Sequence, residues 1–175
     1  MNYAQIRKYD VANGPGIRTT IFVTGCKIRC KDCFNEDYQN PEYGNNYTEE
    51  TKKEILENLS LNQVSGLSIL GGEPLDYDDD NKNEVLTDLV MEVEKTGKTI
   101  WIWSGHIFEE LIKTPVFKNL LMHCDVLVDG PFISDKKNMN LLFRGSENQR
   151  LINLRETFKN NCEEIILVDE SKFKV

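Results

Sequence analysis

Apolar and polar positions alternate in short blocks along the chain, and the blocks predict strands interleaved with helices. Ile6 to Val11 reads as a short strand, interrupted by the turn chemistry of Asn13-Gly14-Pro15-Gly16. Arg18 to Thr24 (RTTIFVT) is β-branched and aromatic, which predicts another strand. Thr48 suits a helix N-cap, with Glu49 and Glu50 at the positive end of the helix dipole. Ile55, Leu56 and Leu59 then repeat at helical spacing through about Leu61. Gly66 to Leu70 reads as a strand ending at Gly71-Gly72-Glu73-Pro74, and the acidic stretch from Asp76 to Asn83 reads as a solvated loop. Val85, Leu86, Leu89, Val90 and Val93 form a helical stripe that stops near Gly97. Thr99 to Trp103 is a buried strand closed by Ser104-Gly105. Phe108, Leu111 and Ile112 belong to a helix broken near Pro115 and resumed through Leu121. Asp125 to Asp129 is a strand closed by Gly130-Pro131, and Glu164 to Val168 reads as the last strand.

Strands alternating with helices predict an α/β fold with a mostly parallel sheet wrapped by helices. A complete eight-stranded barrel takes about 250 residues, and this chain has 175. The expectation is therefore an open, partial (βα) barrel forming a single domain over residues 1–175. No apolar run approaches the ~20 residues that a membrane span needs, and the start MNYAQIRKYD lacks a signal peptide's apolar stretch. A cytoplasmic location is the default. The net charge of −8 argues against nucleic-acid or anionic-membrane partners, which basic surfaces meet.

Chemistry concentrates at the predicted strand ends. Ligands of α/β folds bind beyond the carboxyl ends of parallel strands. Here those ends carry Cys26-x3-Cys30-x2-Cys33, then Gly71-Gly72-Glu73-Pro74, then Trp103-Ser104-Gly105, then Asp129-Gly130. In a parallel sheet all four converge on one rim. Three thiolates on one tight loop suit an iron–sulfur cluster. A four-iron cluster normally takes four cysteines, so one iron is left open for a substrate or cofactor. Lys27, Arg29 and Lys31 interleave the cysteines, and their charge would favour thiolates. The rival is a structural zinc site, with Cys124, His123, Cys162 or His106 as fourth ligand, although no second half of a zinc pattern is present. Cys124 and Cys162 adjoin apolar runs and read as buried structural thiols. The glycines of the Gly71–Pro74 turn let backbone approach a ligand closely, and Glu73 offers a carboxylate to a cationic group such as an amine.

Cys-x3-Cys-x2-Cys after an early strand, with Gly-Gly-Glu-Pro after the next, resembles the radical S-adenosylmethionine superfamily. Asn13-Gly14-Pro15-Gly16-Ile17-Arg18 resembles the leading segment of its glycyl-radical-enzyme activases. Trp103-Ser104-Gly105, the segment Arg144-Gly145-Ser146-Glu147-Asn148-Gln149-Arg150 and the short chain resemble the branch acting on anaerobic (class III) ribonucleotide reductase. The resemblance implies a 4Fe–4S cluster with Cys26, Cys30 and Cys33 as metal ligands and S-adenosylmethionine on the fourth iron. It implies that Gly71, Gly72, Glu73 and Pro74 hold the methionyl amino group. Asp32, Cys33 and Phe34 would form the cofactor-facing part of the loop, and Ser104 a further contact. Reductive cleavage would give a 5′-deoxyadenosyl radical that takes hydrogen from a glycine of the large reductase subunit, with no catalytic side chain beyond cluster and cofactor. The implied electron donor is of flavodoxin type. Another glycyl-radical enzyme, such as pyruvate formate-lyase, is the alternative target. A non-catalytic iron–sulfur or zinc module is the alternative of another class.

Two positions depart from the family pattern. Asp32 stands where an aromatic residue is common, which passes adenine packing to Phe34 or to backbone, and Asn13 stands where related activases often carry Asp. Neither is a cluster ligand. The Arg144–Arg150 segment has the groups to contact the partner. His106 and His123 carry no nucleophile pattern and receive no role. Of Trp101 and Trp103, two apart on one strand, one is expected in the core. Asp78-Asp79-Asp80 lacks the spacing of a calcium loop.

Overall fold

The protein's structure, a computed structural model, describes residues 1–173. Its strands are β1 (Asn2–Asp10), β2 (Ile17–Val23), β3 (Asn45–Asn46), β4 (Val64–Gly71), β5 (Thr99–Trp103), β6 (Val126–Asp129) and β7 (Arg150–Asn153). Its helices are α1 (Glu49–Leu59), α2 (Asp80–Glu94), α3 (Phe108–Leu111), α4 (Pro115–Met122) and α5 (Leu154–Lys159). The strands form one open sheet in the order β3-β1-β2-β4-β5-β6-β7. The fold is α/β, as expected, and the four central strands are parallel. The flanks differ from the expectation, because β1 and β7 pair antiparallel with their inner neighbours and β3 pairs antiparallel with β1.

The two longest helices start at side-chain caps and bury one face. Thr48 caps α1 through a reciprocal box with Thr51, whose N–H it accepts at 3.4 Å and whose hydroxyl accepts the Thr48 N–H at 3.2 Å. α2 starts earlier than expected, inside the acidic stretch read as a loop, because Asp79 accepts the Lys82 N–H at 2.9 Å and caps a new helix end. Helices cover one face of the sheet, where Ile21, Leu67, Ile69, Ile100, Ile102 and Leu127 pack on Ile55, Leu86, Leu89, Val90, Leu120 and Leu121. The opposite face carries Trp101, Val126, Val128 and Leu151 under Phe143, Val168 and Phe173. Residues two apart on a strand share a face, so Trp101 and Trp103 stand side by side with ring centres 5.9 Å apart. Trp101 is buried and Trp103 half-buried.

The expected strand at Glu164–Val168 is not a strand. Its apolar residues instead cover the edge of β7, with the Asn153 N–H donating to Ile166 O at 2.8 Å and the Val168 N–H to Leu151 O at 2.9 Å. Among the described residues, no helix is long and apolar enough to cross a membrane.

Arg18 fastens the central strands from the second face. It is fully buried, and its guanidinium donates to Ser68 Oγ at 2.7 Å, Thr99 Oγ1 at 2.9 Å and the carbonyls of Leu67 (2.6 Å) and Thr99 (3.0 Å). Burial pushes its pKa down to about 10, which leaves it charged at neutral pH. The Ser68 hydroxyl in turn donates to Asn13 O at 2.5 Å, which pins the Asn13–Gly16 turn against the sheet. Gly66 makes room for this, since a Cβ there would lie 2.0 Å from Thr99 O and 2.8 Å from Arg18 Nη2. Gly66→Ala is expected to lower stability by about 3 kcal/mol, as forced overpacking does, read from urea unfolding. An unchanged unfolding midpoint would contradict the close packing of β4 on β5.

Candidate functional site

Because β2, β4, β5 and β6 are parallel, the loops that follow them meet at one end of the sheet, around a cavity of roughly 430 Å³. Cys26, Cys30 and Cys33 line it after β2, Gly71 to Glu73 after β4, Ser104 and Gly105 after β5, and Gly130 after β6. The expected convergence of four strand ends is present.

The cysteine loop is shaped by two residues in the left-handed region, Arg29 (φ 51°) and Asp32 (φ 57°). Non-glycine residues adopt this conformation at a cost of roughly 1–2 kcal/mol. It turns the chain so that Cys26, Ile28, Cys30 and Cys33 line the cavity while Lys27, Arg29 and Lys31 lie exposed. Lys27 bonds Asp78 at 2.7 Å on the outside, so the interleaved cations do not face the thiols as expected. Backbone does so instead. The N–H of Asn35 donates to Cys33 Sγ at 3.4 Å, and main-chain groups of Ile28 and Arg29 near Cys26 and of Phe132 near Cys30 favour the thiolate of each. Burial pushes the Cys26 and Cys30 thiols up, and these main-chain groups oppose it.

Three thiols on one wall with main-chain groups beside them fit the protein side of an iron–sulfur cluster. The candidate fourth ligands of a zinc site lie elsewhere. Cys124 is buried in the helical core, Cys162 packs against that core, His123 Nδ1 is 2.7 Å from Glu94, and His106 stands edge-on to Tyr77. Among the described residues, no three His, Cys, Asp or Glu side chains are grouped as the ligands of a single ion would be.

The glycine turn packs on the cysteine loop itself. A Cβ on Gly71 would lie 2.6 Å from Val23 O, and one on Gly72 would lie 2.6 Å from Gly25 O and 2.9 Å from Tyr38 O. Glu73 is buried, and its carboxylate joins two strand ends. Oε1 accepts from the Ser104 hydroxyl at 2.8 Å and the Leu75 N–H at 2.9 Å, while Oε2 accepts from the Gly105 N–H at 2.8 Å. A carboxylate has about four acceptor positions, so one at Oε2 remains for a ligand. Burial pushes the Glu73 pKa up to about 7, against the pull of these three donors.

The structure gathers most, not all, of the residues predicted from sequence. Phe34 lines the cavity, with its ring 5.1 Å from that of Phe132 and under the Lys137 ammonium at 4.8 Å. Asp32 lies outside the lining, exposed, and accepts from the Ser134 hydroxyl at 2.6 Å, which ties the cysteine loop to the segment after β6. Pro74 also lies outside the lining, buried beneath the turn. Beside Trp103, which the sequence placed at a converging strand end, the cavity has an apolar wall of Ile28, Phe132, Leu141 and Phe143 that sequence reasoning missed. The same reasoning assigned Arg144–Arg150 to a partner, whereas much of that segment is engaged within the chain. Gln149 accepts from the N–H groups of Gly145 and Ser146 and donates to Gly130 O at 2.9 Å, and Asn148 donates to Pro131 O at 2.7 Å. Arg144 bonds Glu170 at 2.8 Å, and Arg150 bonds Asp129 and Glu109. The polar spacing of the segment carried no sign of these internal acceptors.

Residues 12–152 match the protein family described as a 4Fe-4S single cluster domain. The chain is 38% identical over 155 residues to the anaerobic ribonucleoside-triphosphate reductase-activating protein of Enterobacteria phage T4, covering 86% of this chain and 93% of that protein. Identity to the protein of the same name from Vibrio cholerae is 40% over 153 residues, covering 85% and 96%. For that of Escherichia coli K12 it is 36% over 159 residues, covering 89% and 100%.

The raised pKa of Glu73 has a consequence for the metal-free protein. Between its ordinary value of 4.5 and about 7 the folded state binds the proton that the unfolded state has released, so stability falls as pH rises through that window. Wild type is expected to lose roughly 3 kcal/mol relative to Glu73→Gln between pH 4.5 and 7, read by denaturant unfolding at each pH. A pH-independent difference would show that Glu73 titrates normally.

Proposed function

We propose a function from one premise: the chain belongs to the family of anaerobic ribonucleoside-triphosphate reductase-activating proteins, built on a 4Fe-4S single cluster domain. On this reading the protein is a radical S-adenosylmethionine enzyme that installs a glycyl radical on the large subunit of the anaerobic reductase. It acts as one domain over residues 1–175, a partial barrel of the radical S-adenosylmethionine type, in the cytoplasm, with an electron donor of flavodoxin type. The observation that carries the reading is a single cavity with three thiols on one wall, the Gly71–Glu73 turn and Ser104 on the next, and the other two cysteines elsewhere.

Cys26, Cys30 and Cys33 would hold the 4Fe–4S cluster, three ligands for four irons, which would leave a place for the cofactor. Glu73, through its remaining acceptor position at Oε2, takes the methionyl ammonium, while Gly71, Gly72 and Ser104 shape the space around it. Phe34 supplies a ring for adenine, since Asp32 points away to Ser134. Asp32 and Pro74 act by holding their loops in place. The wall of Trp103, Leu141 and Phe143 keeps water from a reactive species. Bound there and reduced, the cluster would supply the electron for reductive cleavage of S-adenosylmethionine to methionine and a 5′-deoxyadenosyl group able to take a hydrogen atom from the partner's glycine. Met139 lines the cavity and is 76% exposed, which gives an apolar side chain at its mouth for the partner to meet.

Anaerobic reconstitution with iron and sulfide is expected to give a brown protein that, once reduced, forms 5′-deoxyadenosine from S-adenosylmethionine. Mixed with the anaerobic reductase, it is expected to produce a glycyl-radical signal in electron paramagnetic resonance. Cys30→Ala should fold yet bind little iron and form no 5′-deoxyadenosine. A colourless protein, or a brown one without cleavage, would overturn the proposal.

A further inference from the structure

Lys82 is a buried cation without a part in the chemistry described so far. It lies in the first turn of α2, and its side chain is 1% exposed. Its ammonium donates to Glu73 O at 3.2 Å, to Gly25 O at 3.4 Å and to Asp76 Oδ2 at 3.3 Å. Asp79 Oδ2 stands at 3.8 Å. Taking an ammonium out of water costs several kcal/mol unless its three donors are satisfied, and here all three are.

The identity of the acceptors matters more than their number. Asp76 and Asp79 belong to the loop and cap just ahead of Lys82, and they would suffice for an ordinary ion pair nearer the surface. Gly25 and Glu73 belong to two different loops. Gly25 directly precedes Cys26, and Glu73 sits in the glycine turn. Gly25 O also accepts the Glu73 N–H at 2.9 Å, so the ammonium reinforces the place where the two loops already touch. A side chain on Gly25 would crowd it, since a Cβ would lie 3.1 Å from Lys82 Nζ. The loop's own cations, Lys27, Arg29 and Lys31, all lie exposed.

We propose that Lys82 is a positioning residue: its ammonium locks the cysteine loop and the glycine turn in one register, so that the site is organised before anything binds in it. That these loops serve a cluster and its cofactor rests on the function proposed above. The lock itself does not.

Hydrogen exchange of the metal-free protein tests the lock. Asp76→Asn keeps the ammonium and both carbonyl contacts. Lys82→Met combined with Asp76→Asn removes the ammonium without stranding a buried carboxylate. The amides of Gly25, Cys26 and Glu73 are expected to exchange about tenfold faster in the double variant than in Asp76→Asn, as loss of one to two net hydrogen bonds implies. Amides of β5 should keep their protection. Unchanged exchange in the two loops, or equal acceleration across the whole sheet, would overturn the proposal. If the double variant does not fold, Lys82→Gln in the Asp76→Asn background carries the same comparison. After reconstitution, iron should also leave the double variant several-fold faster when a chelator is added. A protein that takes up no iron would refute the proposed function, and the exchange measurement would still decide the role of Lys82.

Discussion

A carboxylate taken out of water at Glu73 has to find its donors inside the protein, and the three it finds fix where the loops after β4 and β5 stand. Ser104 and Gly105 are held to it from the next strand, and Leu75 from its own turn. The main chain of the same residue completes the arrangement on the other side. Its N–H donates to Gly25 O and its carbonyl accepts from Lys82. One residue therefore joins the loops that follow β2, β4 and β5. Such a join requires those strands to run parallel and to end at the same height, and the central sheet provides this.

The cysteine loop depends on that frame. It has no helix or strand of its own, and it holds two non-glycine residues in the left-handed region. Such strain persists only where surrounding contacts determine the backbone. Those contacts are Gly25 on Tyr38, Cys26 on Gln39 and Asp32 on Ser134. The result is a loop that presents sulfur to the cavity and charge to solvent.

The parallel centre was legible because β2, β4, β5 and β6 are short runs rich in β-branched, aromatic and aliphatic residues, ended by glycine or by a polar turn. The edges were not. β7 has only Leu151 and Ile152 between Arg150 and Asn153, too short a run to signal a strand, while Ile165 to Val168 has the composition of one but makes only an isolated bridge to β7. The start of α2 was hidden for a similar reason: Asp78-Asp79-Asp80 reads as solvent-exposed until Asp79 is seen to cap. Within the site, the thiols, glycines and Glu73 were readable from spacing. Asp32 and Pro74 were carried along as neighbours, but a left-handed turn sends one outward and the fold of the glycine turn buries the other. Lys82 could not be found this way, since the two acceptors that tie it to the site loops are carbonyls, which every residue has. The rest of the apolar wall is equally silent, because Ile28, Leu141 and Phe143 look like ordinary core.

In the proposed function three thiolates hold a four-iron cluster whose remaining iron is open to S-adenosylmethionine. Mössbauer spectroscopy of protein reconstituted with ⁵⁷Fe, recorded with and without S-adenosylmethionine, tests it most directly. One iron in four should change its isomer shift when the cofactor is added, while the other three keep the parameters of thiolate-bound sites. Spectra identical in the two conditions, or four equivalent thiolate-bound irons in both, would contradict it.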